Sequence, residues 1–147
     1  MRVEIKVFGK PQPAGSKRGF AFTRANGKTG VAISDANSKS RPWKTLVSQA
    51  AGEQYGGELL RGPLAVELRF FAPRPKGHYG SGSKASVLKA SAPQYPTGKP
   101  DVLKLARAVE DALTKVVYAD DSQIVREVLE KCYGEPARVE IVIVEAE

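Results

Sequence analysis

The chain changes its hydrophobic period sharply between residues 101 and 132, and that change fixes much of what it can fold into. Val102, Leu105, Ala106, Val109, Ala112 and Leu113 recur at three- and four-residue intervals, the stripe of an amphipathic helix. The helix starts near Pro100 or Asp101. Val116-Val117-Tyr118 then leads to Asp120-Asp121, and residues 122–132 read as an Ile- and Val-rich strand that ends at Tyr133-Gly134. A helix followed at once by a strand buries its apolar stripe against the sheet to which that strand belongs.

The other segments agree. Val3, Ile5 and Val7 alternate with Arg2, Glu4 and Lys6, a half-buried first strand. Residues 20–24 and 28–34 flank Asn26-Gly27, a pair suited to a type I′ hairpin turn. Ser40 as N-cap and Pro42 in the first turn open a helix whose stripe is Trp43, Leu46, Val47, Ala50, Ala51 and Tyr55, closed by Gly56-Gly57. On that stripe Trp43 belongs to the core, although an indole can also stack on a base. Pro63 precedes a strand carrying Leu64, Val66, Leu68 and Phe70, and Val139, Ile141 and Ile143 mark a last strand, apolar on both faces near its end. The expected fold class is α+β, a mixed sheet with two main helices packed on one face, in a single domain spanning residues 1–147.

Charge narrows the function. Residues 1–100 hold 17 Lys/Arg against 5 Asp/Glu, and residues 101–147 hold 6 against 11. Residues 5–34 and 68–100 contain no acid at all. Solvated surfaces ordinarily mix signs, whereas acid-free basic stretches attract polyanions and release counterions on contact with phosphates. Lys17, Arg18, Arg24 and Lys28 on the hairpin and its approach, and Arg74, Lys76, Lys84 and Lys99 further on, are therefore the expected nucleic-acid contacts. An ordinary basic surface kept for solubility is the alternative. Residues 72–98 are rich in Pro, Gly, Ser and Lys, and a loop of that length suits a flexible flap over nucleic acid. His78, the sole histidine, lacks a local metal-ligand partner and reads as a loop residue. No run of about 18 apolar residues spans a membrane. The N-terminus alternates like a strand rather than a signal peptide, and Cys132 is alone, which fits the reducing cytoplasm.

Carboxylates inside so basic a chain suggest a divalent cation held against a phosphate backbone. Hydrolysing a phosphodiester needs an activated water and a stabilised oxyanion. Mg²⁺ supplies both and prefers carboxylate oxygens. Asp101 and Asp121 are the candidate ligands, with Asp120 beside the second, and Arg107 between them on the helix is placed to stabilise charge on the transferred phosphate. Taken alone, Asp101 is also a helix cap, Asp120-Asp121 a turn, and Arg107 a solvent-facing cation.

Lys99-Pro100-Asp101, residues 104–109, Asp111-Ala112-Leu113 and Asp120-Asp121-Ser122-Gln123 together resemble the RusA family of Holliday junction resolvases, the phage and prophage type of crossover junction endodeoxyribonuclease. Gly15-Ser16-Lys17-Arg18, residues 38–43 and residues 130–134 are similar to members of that family too, so the likeness spans nearly the whole chain. It implies a homodimer with one metal site per subunit, Mg²⁺ or Mn²⁺ as cofactor, and symmetric nicking of a four-way junction or other branched DNA. The family opens its helix with Asp-x-Asp, follows with a basic residue and completes the acidic cluster with a later Asp. Asp101 and Asp121 match the first and last acids, and Arg107 stands where the family has a functional lysine. The second acid of the Asp-x-Asp falls on Leu103, which also lies off the apolar stripe of its own helix. Three readings follow: a junction-cutting endonuclease, a catalytically weakened junction-binding protein of the same fold, or a basic RNA- or protein-binding domain whose acids are only caps and turns.

Overall fold

In a computed structural model the chain is described at residues 1–15, 17–35 and 37–147, with side chains at 17, 18, 20 and 33–35 outside the description. Six strands and two helices follow one another as β1 (Arg2–Phe8), β2 (Lys17–Thr23), β3 (Thr29–Asp35), α1 (Ser40–Gln54), β4 (Leu64–Ala72), α2 (Val102–Leu113), β5 (Ile124–Tyr133) and β6 (Arg138–Glu145). The fold is α+β, as expected. Four strands form a mixed sheet in the order β1-β6-β4-β5, with β4 and β5 parallel and the other neighbours antiparallel, while β2 and β3 form a separate hairpin.

Strand periodicity decides which face is covered. Val3, Ile5 and Val7 of β1, Val139, Ile141 and Ile143 of β6, and Leu64, Val66, Leu68 and Phe70 of β4 are buried together with Trp43, Val47 and Ala51 of α1 and Leu105, Val109 and Leu113 of α2. Each large side chain removed from water in this way contributes roughly 1.5–3 kcal/mol before conformational entropy is subtracted. The opposite face carries no helix. Val142 and Val144 stay half-exposed there, which is why β6 reads as apolar on both faces. Because β4 and β5 are parallel, the chain must cross over between them, and that crossover carries the long loop and α2.

Several expectations shift locally. The hairpin turn is not type I′, because only Gly27 has positive φ (81°), and that turn needs two such residues. Arg24 C=O accepts from Gly27 N–H at 2.9 Å and Arg24 N–H donates to Lys28 C=O at 2.8 Å, a three-residue loop completed by the glycine. Ser40 is the first helical residue of α1 and not its cap. Lys39 holds the cap position and makes no side-chain capping bond. Residues 121–123 form a 3₁₀ turn, so β5 begins at Ile124. The long loop is built from successive turns. Arg74 fastens it by stacking on the Tyr133 ring at 4.4 Å and donating to Pro93 C=O at 2.6 Å, and His78 meets the same ring edge-on at 5.3 Å.

Candidate active site

Asp120-Asp121-Ser122-Gln123 is held by its own side chains. Asp120 Oδ1 accepts from Ser122 N–H at 2.8 Å, which holds the Asp120 carboxyl below its ordinary range. Gln123 Oε1 accepts from the N–H groups of Ala119 and Asp120, both at 2.9 Å. Its Nε2 donates to the carbonyls of Leu60 and Gly62, both at 3.0 Å. With the turn pinned to the residue 60–62 loop, Asp121 stands beside the C-terminal end of α2. Desolvation, then the charge of Asp120, a hydrogen bond with it and the charge of Asp111 all push the Asp121 carboxyl up.

Glu110 completes this acid-crowded corner. It sits between α2 and β5 and is pushed up to about 8, first by desolvation, then by a hydrogen bond with Glu127 and by the charges of Glu127, Asp121 and Asp111. Glu127 is the β5 residue opposite Val66 and so faces the helices. Asp111 is drawn toward α1 by Lys44 at 3.1 Å. Glu110 thus holds a proton near neutrality that an isolated glutamate would lose. This raised carboxyl has a consequence for stability. A folded-state value near 8 lies above the unfolded 4.5, so the stabilisation is fully present below pH 4.5 and is lost as pH rises through 8. Discounted for partial exposure, the loss is roughly 1–2 kcal/mol, or several degrees of Tm. Metal-free protein should melt lower at pH 8.5 than at pH 5.5, and Glu110→Gln should flatten that slope in a thermal-denaturation series. An unchanged slope in the variant would show that Glu110 does not carry it.

Asp101 occupies the other end of α2. It is the N-cap residue, exposed, with no side-chain capping bond, and it faces Lys104 at 3.7 Å. Lys131 near the end of β5 fixes its approach by donating to Gly98 C=O at 2.8 Å and Pro100 C=O at 3.1 Å. α2 therefore runs antiparallel to β5, with Asp101 at the Lys131 end and Glu110 at the Glu127 end. Glu110 lies nine positions after Asp101, about 13 Å of rise along the helix. One chain does not bring Asp101 and Asp121 together, and among the described residues no three His, Cys, Asp or Glu side chains form a group able to hold a metal ion. Leu103 is 66% exposed, on the same helical stripe as Arg107 and Glu110, as its departure from the apolar pattern implies.

The expected nucleic-acid contacts divide. Arg24 and Lys28 at the hairpin tip, and Lys76, Lys84 and Lys99, are exposed, whereas Arg74 is occupied by Tyr133 and Pro93. The side chains of Lys17 and Arg18 lie outside the described residues. Trp43 is buried at 4% exposure, a core residue. Glu127 and Lys131 were not singled out individually from sequence. The signal was present, since both interrupt the apolar helix-facing register of a strand that also carries Leu129. Among the described residues no helix is long and apolar enough to cross a membrane.

An acidic corner and exposed lysines stand on a mixed sheet with helices on one face, and comparison with known proteins places the chain in a family. The family model for endodeoxyribonuclease RusA matches residues 9–144. The chain belongs to that family, whose members are metal-dependent DNA endonucleases that act on branched junctions. It is also 33% identical over 141 residues to the uncharacterized protein YqaN of Bacillus subtilis strain 168, covering 96% of this chain and 94% of that protein.

Proposed function

We propose that this protein is a Mg²⁺-dependent endonuclease that resolves four-way DNA junctions as a homodimer, its acidic site completed across the two-fold axis. One observation carries the reading. The acids that should share a cation stand at opposite ends of α2, and the strand beneath that helix, β5, has a free edge. Antiparallel pairing of two β5 edges about Val128 would set Arg126 opposite the partner's Glu130 and run the two α2 helices antiparallel. Asp101 would then approach the partner's Asp121. The same contact would cover Leu103, Val125 and Val128, exposed at 66%, 62% and 49%.

The donor set suits a hard cation. Asp121 and Glu110 offer carboxylate oxygens, and their mutual crowding would be relieved by a divalent charge. Together with the partner's Asp101 they would hold it. When bound, the ion supplies an activated water and charge neutralisation at the transferred phosphate. Asp120 holds the turn through Ser122, so Asp121 is the nearer of the pair to the shared site. Arg107, exposed on the face of α2 that Leu103 and Glu110 share, would stabilise charge building on a phosphate oxygen. The hairpin and loop cations, Lys17, Arg18, Arg24, Lys28, Lys76, Lys84 and Lys99, would track the strands leading away from the branch point and make binding fall steeply with salt, while Arg74 holds the loop that carries Lys76 and Lys84.

The test is strand nicking of a synthetic four-way junction with and without Mg²⁺, against a linear duplex of the same sequence. Paired symmetric nicks in the junction alone are expected. Equal affinity for single-stranded RNA, with no cutting, would overturn the reading. A second reading, a weakened nuclease, is favoured by Leu103, since an isobutyl group at the family's acidic position cannot ligate a cation. Leu103→Asp should raise the nicking rate at limiting Mg²⁺ by about tenfold. If the rate does not rise although Asp121→Asn abolishes cutting, position 103 is not part of the site.

A further inference from the structure

A cleft of about 450 Å³ opens where the C-terminal ends of the parallel strands β4 and β5 meet the N-terminal end of α2. Cleft mouths at strand carboxyl ends are where open sheets take ligands, and the volume falls within the roughly 300–1,000 Å³ of small-molecule pockets. Its inner wall is apolar: Phe70 and Leu105 line it, and each is less than a tenth exposed. Lys10, Lys99 and Lys131 are among its lining residues, and no acid is. Lys131 uses two of its three N–H groups on the carbonyls of Gly98 and Pro100, which leaves the third for a ligand. An apolar slot with cations is complementary to a flat, hydrophobic ring attached to a phosphate.

Resting on the endonuclease reading above, we infer that this cleft takes one unstacked base of the bound DNA, adjacent to the phosphodiester to be cut, and so sets which sequences are cut. The cleft wall runs through Lys99 and Pro100 directly into Asp101, so a strand leaving the cleft passes the acid within one residue of protein chain. Exposed Tyr95, immediately before the lining residue Pro96, adds an aromatic surface at the same place. Bases at a branch point are the cheapest in a duplex to unstack, because part of their stacking is already lost. The other observations fit a base better than a free nucleotide, since a free nucleotide gains nothing from lying beside Asp101.

Four-way junctions carrying 2-aminopurine at successive positions around the branch point test this in metal-free buffer, where strands stay intact. Wild-type protein should brighten one position several-fold. Ala137→Phe fills the cleft from its rim, because Ala137 is a lining residue whose own backbone bond, from Gly9 N–H, does not involve its side chain. That variant should bind junctions, leave every probe dark and, with Mg²⁺, cut without the sequence preference of the wild type. Pro96→Cys in a Cys132→Ser background gives a second readout, since Pro96 lines the cleft and the thiol of Cys132 points to the other face of the sheet, beside Glu130: a methanethiosulfonate reagent should label it more slowly when junction is bound. Junction binding and cutting with no bright position and no protection of the Pro96→Cys thiol would overturn the inference and leave the endonuclease reading intact. Protection of that thiol by free deoxymononucleotide as strong as by junction would also overturn it, in favour of a nucleotide pocket. Failure of wild type to bind junctions at all would overturn both.

Discussion

Asp121→Asn protein is expected to nick a four-way junction at least about 100-fold more slowly than wild type while binding it no less tightly. The lower bound follows from groups that merely orient metal ligands, whose loss already costs 10–100-fold, so removing a ligand oxygen costs no less. The amide keeps the shape and reach of the carboxylate while removing its charge and exchanging one acceptor oxygen for an NH₂ donor. The fold is therefore preserved, because Gln123 and Asp120, not Asp121, pin the turn. Binding should not weaken, since one fewer negative charge faces the phosphates. A rate measured across Mg²⁺ concentrations separates the possibilities. A loss that high Mg²⁺ partly repairs identifies a ligand, whereas an unchanged rate removes Asp121 from the site. The neighbouring Asp120→Asn should lose far less, because one Asp120 oxygen serves the Ser122 N–H and an amide oxygen can accept the same bond.

Much of the frame around this site was legible before any coordinate. The stripe of α2 is local, and local patterns survive folding: Leu105, Ala106, Val109, Ala112 and Leu113 are all buried. Ser122 and Gln123, read as the start of a strand, belong instead to the turn before it, because the Gln123 and Asp120 side chains bond back to its backbone. Trp43, read as core from its helical spacing, is core for the same reason. Leu103 stood out in the sequence because it broke the stripe, and it is indeed exposed. What was not legible depends on which strand lies beneath which helix. Glu110 and Asp111, two turns beyond Leu103, gain their meaning only because β5 brings Glu127 and Asp121 against that end of the helix. Likewise Lys131, in the sequence only one residue of the 130–134 run, holds the loop that delivers Asp101. The hairpin turn failed at a finer level. Asn-Gly fits two turn types, and the backbone bonds of Arg24 chose the three-residue loop.

The second large effect concerns the distance between Asp101 and Asp121, and it turns on symmetry rather than on any single residue. Asp101→Asn and Asp121→Asn proteins, each expected to be nearly inactive alone, should recover activity when mixed and allowed to exchange subunits. In a heterodimer with sites built across the two-fold axis, one site collects Asp121 from the Asp101→Asn subunit and Asp101 from the Asp121→Asn subunit. That site is intact, and the other carries both defects. Random exchange of equal amounts makes half the dimers mixed, each with one working site of two, so nicking should return to about a quarter of the wild-type rate. The products should be single nicks and not paired cuts, because each mixed dimer has only one working site. A site contained within one chain predicts the opposite, since every site in the mixture would then carry one defect and no activity would return. Asp101 and Glu110, the acid beside Asp121, are about 13 Å apart along α2, too far for acids at both ends to share one ion. Recovery on mixing would therefore assign the completed site to the β5 edge. Its absence, with subunit exchange verified by differently tagged chains, would require Asp101 to act on the DNA apart from the cation that Asp121 holds.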